Sequence, residues 1–547
     1  MTPPAPGDDL RAGREARAGR FPGPSLIPAL TDIQRRRGWL PREELVALSR
    51  DARRPLYELE GLTSFYPHFR TTGPPPAVEV AVCRDLSCWL AGARHQLDEL
   101  SARYADDADV VVRQTSCLGR CDCAPAANVN DEPSLGGDVV AAVELALRGE
   151  LPETPAQRPH RTWPTDPYGS ERDRYATLRA ARAGELTPEE AIARLTDSGL
   201  RGMGGAGFPT GLKWEIVRGE PARPRYVICN ADESEPGTFK DRQILAELPL
   251  LVLEGMLLGM WVVGAQEGWV FIRHEYGPEE RVIRAELDRL AGEGLVAGEA
   301  GTDADLPFVD LFVSPGGYIL GEETALIECM EGHRGEPRNK PPFPGSHGLW
   351  GKPTLMNSVE TFAAAPIIVG RGPGWWRDQG IGDAGGLKFM AVSGDVETPG
   401  VYCIPMGTPI GELLDAAGGV NQGRRLAAMQ PGGASSNFLG AGSLGVGVDF
   451  AALASAGSML GSGALVVIAE RTDLLAAAAN VLSFFKNESC GKCVPCRVGS
   501  EKAERILART LALSTRPSGP VDGIGELEET LRLTSICGLG QVALGPV

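Results

Sequence analysis

Cys490, Cys493 and Cys496 stand two residues apart in ESCGKCVPC, and Cys537 follows alone near the end of the chain. That layout puts three thiolates on one loop and obliges the fold to deliver a fourth from elsewhere. A [4Fe–4S] cube, whose four irons each take one terminal thiolate, suits it. A Cys₄ zinc site uses similar chemistry, although such sites more often pair two CxxC knuckles. A second group joins Cys83 and Cys88, four residues between them, to Cys117 and Cys121, three between. Each pair comes just after a predicted strand, and two close pairs suit a [2Fe–2S] rhomb with one pair on each iron. Zinc is again the alternative there, and a redox disulfide a further one. Cys123 is a fifth thiol close by. The pattern points to electron transfer.

With 547 residues the chain exceeds what one hydrophobic core usually supports, so several domains are expected. A formal net charge of −17 argues against nucleic acid or an anionic membrane as the main partner. Residues 1–25 lack an apolar signal-peptide core and read as a disordered leader. The apolar run from Leu248 to Ala265 is interrupted by Pro249, Glu254 and glycines, so it reads as a helix buried on a sheet, without membrane insertion. Cysteines grouped by ligand spacing, with no export signal, indicate a reducing cytoplasm.

Periodicity divides the rest. Residues 26–150 read as short helices followed by a small α/β unit, and 151–170 as a linker by composition. Alternating helices and strands over 171–386 predict a larger open α/β sheet. Residues 387–470 read as a compact α+β module, and 471–547 as a helical unit carrying the three-plus-one cysteines.

GMGGAGFPTGLKW contains GxGxxG at Gly202, Gly204 and Gly207, but a helix precedes it and Pro209 follows, so the strand–turn–helix dinucleotide test fails. What remains is a backbone able to approach a phosphate or flat ring, with Lys213 as a nearby cation, or a plain glycine turn. The strand RYVICN runs into Asn230, Asp232, Glu233, Ser234 and Glu235, where open sheets collect ligands. The layout recurs at VDLFVSPGGYILGEETALIECM, with Tyr318, Gly321, Glu322 and Glu323. Acidic residues at a helix start also serve as dipole compensation, yet two such turns beside a glycine loop favour a nucleotide pocket.

GMGGAGFPTGLKW, NADESEPGTFKDR, GGYILGEETALIE, RNKPPFPG, GKPTLMNSVETF and ESCGKCVPCR together resemble the flavin-bearing, NADH-oxidising subunit of respiratory complex I and its soluble relatives. GLTSFYPHFR, CRDLSC and CLGRCDCAPA resemble that subunit's thioredoxin-like [2Fe–2S] partner. Their fusion is similar to the diaphorase (beta) subunit of NAD-dependent, molybdenum- or tungsten-containing formate dehydrogenases, or of NAD-reducing hydrogenases. RGEPRNKPPFPG with CVPCRVG resembles the formate branch slightly more than complex I, and hydrogenase diaphorases are close to it.

The resemblance implies a multidomain α/β fold: a thioredoxin-like [2Fe–2S] domain, an FMN-binding domain, a β-grasp-like (SLBB) module over 387–470 and a helical [4Fe–4S] bundle. It implies FMN held by Gly202, Gly204, Gly205 and Gly207 with Lys213, Asn230, Asp232, Tyr318, Glu322, Asn357 and Thr361. Glu233, Ser234, Gly321 and Ser358 are expected among the cofactor-binding residues as well. NAD(H) would lie over the flavin, Phe208 and Phe343 near its adenine, Lys340 nearby, and Glu235 and Glu323 orienting it. Met203, Ser358 and Ile216 stand where the family commonly has Arg, a second Asn and an aromatic.

The implied activity is electron movement between NAD(H), FMN and the clusters, with no acid–base catalytic residue. The partner would be the catalytic subunit of a formate dehydrogenase or similar hetero-oligomer, since no molybdopterin or hydrogen-activating site occurs in this chain. A non-catalytic relay or scaffold subunit and a zinc-stabilised interaction protein are the competing readings.

Overall fold

The computed structural model describes residues 25–134, 138–150, 163–170, 173–301, 303, 305–515 and 519–547. The leader up to residue 24 and positions 151–162 of the expected linker lie outside the described residues. In VEVAVC the side chains alternate across β1 (Val78–Cys83): Val78, Val80 and Val82 enter a core, while Glu79 pairs with Arg70 and Arg113. β2 (Val110–Thr115) lies parallel to β1, β3 (Ala127–Val129) antiparallel, and β4 (Glu132–Ser134) completes the order β2-β1-β3-β4. A parallel pair needs a crossover, supplied here by helices Leu86–Leu90 and Ala93–Arg103. Because Cys83 aligns with Thr115, both cysteine loops leave the same edge of this sheet.

The helices Leu26–Arg37, Arg42–Asp51 and Leu56–Thr63 pack elsewhere. Leu30, Leu59, Tyr66 and Phe69 share a core with the C-terminal helices and one face of the central sheet, and Tyr66 Oη donates to His333 O at 2.6 Å.

The central sheet is wholly parallel, in the order β7 (Phe308–Ser314), β6 (Glu267–Arg273), β5 (Tyr226–Ala231), β8 (Thr354–Ser358). Parallel sheets are covered on both sides, so YVICNA is apolar almost throughout. Val227, Cys229 and Ala231 face the core of helix Pro249–Val263, whereas Tyr226 and Ile228 face the N- and C-terminal helices. The apolar run around Leu248–Ala265 is thus a core helix, and among the described residues no single helix is long and apolar enough to cross a membrane. Glu254 within it accepts from Leu178 N at 3.0 Å and from Tyr168 Oη, and burial raises its pKa to about 7.

Residues 163–170, assigned by composition to a linker, pack onto this domain: Trp163 is buried, donates to Glu247 at 2.6 Å and meets Phe389. The third sheet has the order β10 (Gly400–Pro405), β9 (Leu387–Gly394), β12 (Ala464–Ala469), β11 (Leu426–Gln430), with a parallel central pair. Helices Leu474–Asn487, Val494–Leu511, Ile524–Thr534 and Gly538–Val542 end the chain, the first capped by Asp473.

Candidate redox site

The glycine loop sits between helix Pro188–Asp197 and helix Thr210–Gly219, beside the carboxyl ends of β5 and β8. Gly202 N donates to Phe208 O at 2.8 Å and Arg201 Nε to Gly207 O at 2.6 Å, closing the loop on itself. Gly205 and Gly207 hold φ of +119° and +62°, conformations that side-chain-bearing residues rarely adopt. Met203 N donates to Thr361 Oγ1 at 2.9 Å, and Thr361 pairs with Ser358 at 2.9 Å, tying the loop to the strand end. Lys213 Nζ reaches Met356 O at 3.1 Å, and burial lowers its pKa; Asn357 Oδ1 accepts from Trp214 at 3.1 Å.

The two acidic turns meet. Asn230 Nδ2 donates to Gly321 O at 2.9 Å, joining the end of β5 to the turn after β7. Asp232 is buried, with Oδ2 accepting from Ser234 at 3.1 Å and Oδ1 left without a partner. Burial raises its pKa to about 7 against the opposing pull of Arg273. Glu235 Oε1 accepts from Ser435 N at 2.7 Å, so the third-sheet module closes on this turn, and burial lifts its pKa to about 6. An orphaned buried carboxylate oxygen is a partner that a flavin's ring N–H or ribityl hydroxyl groups would satisfy, and the glycine-rich loop leaves backbone open to close approach.

Two of the expected carboxylates are engaged within the fold, Glu233 and Glu322. The Glu233 carboxylate accepts from Asp241 N at 2.8 Å, Arg242 N at 3.0 Å and Tyr276 Oη at 3.0 Å, holding the start of helix Lys240–Glu247. Glu322 likewise caps helix Glu323–Met330, accepting from Thr324 N and Ala325 N at 2.9 Å. Its other oxygen takes Lys340 Nζ at 2.8 Å, and the same ammonium reaches Glu323 at 2.7 Å. Phe208 and Phe343 are 42 % and 58 % exposed, and Lys213 Nζ lies over the Phe208 ring at 5.8 Å from its centre. Leu212 and Ile216 share that exposure, and Gly345 abuts Ile216, which brings the Phe343 segment to the same rim.

Cys83, Cys88, Cys117 and Cys121 are all buried together. Cys117 and Cys121 have their sulfurs 3.7 Å apart, and two thiolates on one tetrahedral metal at ~2.3 Å would stand ~3.8 Å apart. Hydrogen bonds from Cys121 and Cys83 hold the Cys117 thiol well below its usual range, while those to Cys117 push its two neighbours up. Cys123 is only partly buried. In the C-terminal unit Cys493 and Cys537 each stand at a helix start, and Gly540, three residues past Cys537, abuts Cys496. Burial pushes the Cys496 and Cys537 thiols up to about 11 and about 12, with Cys490 adding to both. Thiols that crowd and oppose one another's ionisation form a donor set that a cationic cluster relieves.

Spacing gave no sign of Arg201, Ser435 or Arg273, whose roles come from long-range contacts. Tyr318 joins the two halves of the site. Its N–H donates to Glu488 Oε2 at 2.9 Å, two residues before Cys490, its hydroxyl lies 3.5 Å from Glu235, and its ring packs on Phe484 and Phe485.

Comparison with known proteins matches four segments of the chain. Residues 195–367 match the Nuo51 FMN-binding domain and 20–141 the thioredoxin-like [2Fe-2S] ferredoxin. Residues 389–438 match the SLBB domain and 476–547 the NADH-ubiquinone oxidoreductase-F iron-sulfur binding region. The F 2 subunit of NADH-quinone oxidoreductase from Rhizobium meliloti (strain 1021) is 42 % identical over 371 residues, covering 68 % of this chain and 87 % of the relative. The HndC subunit of NADP-reducing hydrogenase from Solidesulfovibrio fructosivorans is 40 % identical over 384 residues, 69 % and 77 %. The crystal structure of an NAD+-reducing [NiFe]-hydrogenase in the air-oxidized state superposes with a TM-score of 0.84 at 32 % identity, over 96 % of this chain and 91 % of that one. The chain belongs to the family of the NADH-quinone oxidoreductase F subunits and the diaphorase subunits of NAD-reducing hydrogenases, as an NAD-dependent oxidoreductase with FMN-binding, [2Fe–2S] and [4Fe–4S] domains.

Proposed function

We propose that the chain is the diaphorase subunit of a hetero-oligomeric NAD-dependent formate dehydrogenase working in the cytoplasm. The glycine loop, Asn230, Asp232 and Ser234 hold the flavin, and Lys213 offers a cation beside it. Phe208 and Phe343 give the adenine a surface, and Glu235, Glu323 and Lys340 orient the nucleotide. Cys83, Cys88, Cys117 and Cys121 hold the [2Fe–2S] cluster and Cys490, Cys493, Cys496 and Cys537 the [4Fe–4S] cluster. Bound FMN supplies the conversion between two-electron nicotinamide chemistry and one-electron cluster chemistry. The side chains bind, orient and exclude water, and none is required to shuttle a proton.

The observation that carries the reading is Tyr318, which spans the Glu235 side of the nucleotide pocket and the Glu488–Cys490 segment. It makes the pocket and the four-cysteine site one continuous structure. The test is anaerobic NADH with ferricyanide or a viologen. Dye reduction by FMN-loaded chain is expected, together with iron and acid-labile sulfide in matching amounts; no dye reduction would sink the diaphorase reading.

The formate assignment rests on the RGEPRNKPPFPG and CVPCRVG segments. A hydrogenase diaphorase is the second reading, favoured by the likeness over 96 % of the chain to an NAD+-reducing [NiFe]-hydrogenase structure. Copurified subunits that reduce NAD+ with formate support the first reading, and reduction with hydrogen the second.

A further inference from the structure

The Cys117–Cys121 loop is fastened to the flavin domain by three buried guanidiniums. Arg120 makes a two-pronged pair with Glu279 at 3.0 and 2.9 Å. Arg242 pairs with Asp122 at 3.0 and 2.7 Å and also donates to Gly119 O at 2.8 Å. Arg273 differs from both, because it contacts a ligand residue itself. At the carboxyl end of β6, its Nη2 donates to Cys117 O and its Nη1 to Glu233 O, each at 2.5 Å. Its Nε and Nη2 also pair with Glu275 at 3.0 and 2.8 Å.

One planar fork therefore spans the turn that carries Asp232 and Ser234 and a cysteine of the sealed thiol group. Five donors in fixed geometry allow this, and a lysine ammonium could keep the charge but not all three partners. The guanidinium is 2 % exposed, so its field on the neighbouring thiolate is weakly screened. Among the described residues no other cation donates to a ligand cysteine's carbonyl.

We propose that Arg273 is a positioning residue of the [2Fe–2S] centre, fixing Cys117 against the flavin turn and raising the centre's reduction potential through its buried charge. The proposal rests on the assignment of Cys83, Cys88, Cys117 and Cys121 as cluster ligands. Reduction adds one electron to a group already surrounded by four thiolates, and a buried cation beside one of them favours the added charge. Glu275 offsets part of that effect, which gives the proposal two levers of opposite sign.

The experiment is an anaerobic redox titration of the full chain, reduced with dithionite and followed by the electron paramagnetic resonance signal of each cluster. The [4Fe–4S] signal in the same sample serves as reference. Arg273→Met is expected to lower the [2Fe–2S] midpoint by at least a tenfold change in the oxidised-to-reduced ratio, about 59 mV for one electron. Glu275→Gln is expected to raise it, and Arg273→Lys to restore most of the Met variant's loss while altering the signal's g-values. General loosening of the loop cannot move the midpoint both ways. Midpoints unchanged in Arg273→Met and Glu275→Gln, or shifted in the same direction, overturn the proposal. If Arg273→Met fails to retain the centre, the direction of the Glu275→Gln shift decides alone. A chain with no [2Fe–2S] signal before any substitution would instead overturn the ligand assignment beneath it.

Discussion

Around Cys83, Cys88, Cys117 and Cys121 every thiol is buried, and buried arginine–carboxylate pairs bind the loop to its neighbour. Around Cys490, Cys493 and Cys537 the thiols are half-buried, and Val494 and Leu533 nearby are 59 % and 64 % exposed. Isolated exposed apolar residues need no explanation, but here they flank a thiol site on adjoining helices, with Val498 and Ile536 exposed as well. One centre is shut in against the flavin domain and the other opens outward. Electrons can leave to a partner only where a donor approaches the surface, so we read the C-terminal centre as the exit and the sealed one as a store beside the path.

The strongest test removes one ligand from each. Cys493→Ala is expected to abolish the [4Fe–4S] signal and electron delivery to the partner subunit, while ferricyanide reduction by NADH, drawn from the flavin, persists. Cys88→Ala should abolish only the [2Fe–2S] signal. If Cys88→Ala stops delivery as completely, the sealed centre lies on the main path and the contrast fails.

The next test concerns what fastens the sealed loop. Breaking a buried ion pair is costly, so Arg242→Met, which removes the guanidinium that pairs with Asp122 and donates to Gly119 O, should cost about 3–5 kcal/mol. Gly119→Ala should act similarly, since φ is +67° and a methyl group would run into the fully buried Tyr276. Denaturant midpoints of the full chain check both. A cost below about 1 kcal/mol for each would mean the loop is held by the cluster and not by its surroundings.

These contacts show where sequence reading stops. The cysteine pairs, the glycine loop and the two acidic turns were legible because each depends on neighbours a few residues away. The strand alternation of β1 and the burial of helix Pro249–Val263 were legible for the same reason. Arg242 meets Asp122, and Arg273 meets Cys117, across more than a hundred residues, and no periodicity encodes such a meeting. Glu233 and Glu235 look alike in ADESEP, yet one caps a helix and the other faces the pocket, a choice set by where the chain turns after β5. The N-terminal helices were legible as helices, but their packing on the C-terminal core was not.

The turn proposed to hold the flavin is tied to Arg273 on one side and to Tyr318 on the other, and Asp232 tests whether the sealing reaches it. Its carboxyl is raised to about 7 by burial, so below about pH 7 the folded chain without FMN favours the protonated form. The associated stability is fully present below the unfolded carboxyl's pKa near ~3.9 and is lost as pH rises through about 7. The loss should amount to about 4 kcal/mol, and Asp232→Asn should remove that part of the pH dependence. An equal slope in the variant would mean that water reaches the turn.

The smallest effects belong to the open loop. Gly491 also has a left-handed φ, +75°, but a methyl group there would meet only Arg497 Cδ, at an ordinary 3.7 Å. Gly491→Ala should therefore cost about 1 kcal/mol from the backbone alone, with no packing penalty added. Arg505→Met, which breaks the exposed pair with Glu501 on the same helix as Cys496, should cost about 0.5 kcal/mol or less. Were Gly491→Ala to match Gly119→Ala in denaturant midpoint, the C-terminal loop would be as tightly enclosed as the other. The openness that marks it as the exit would then have to come from elsewhere in the fold.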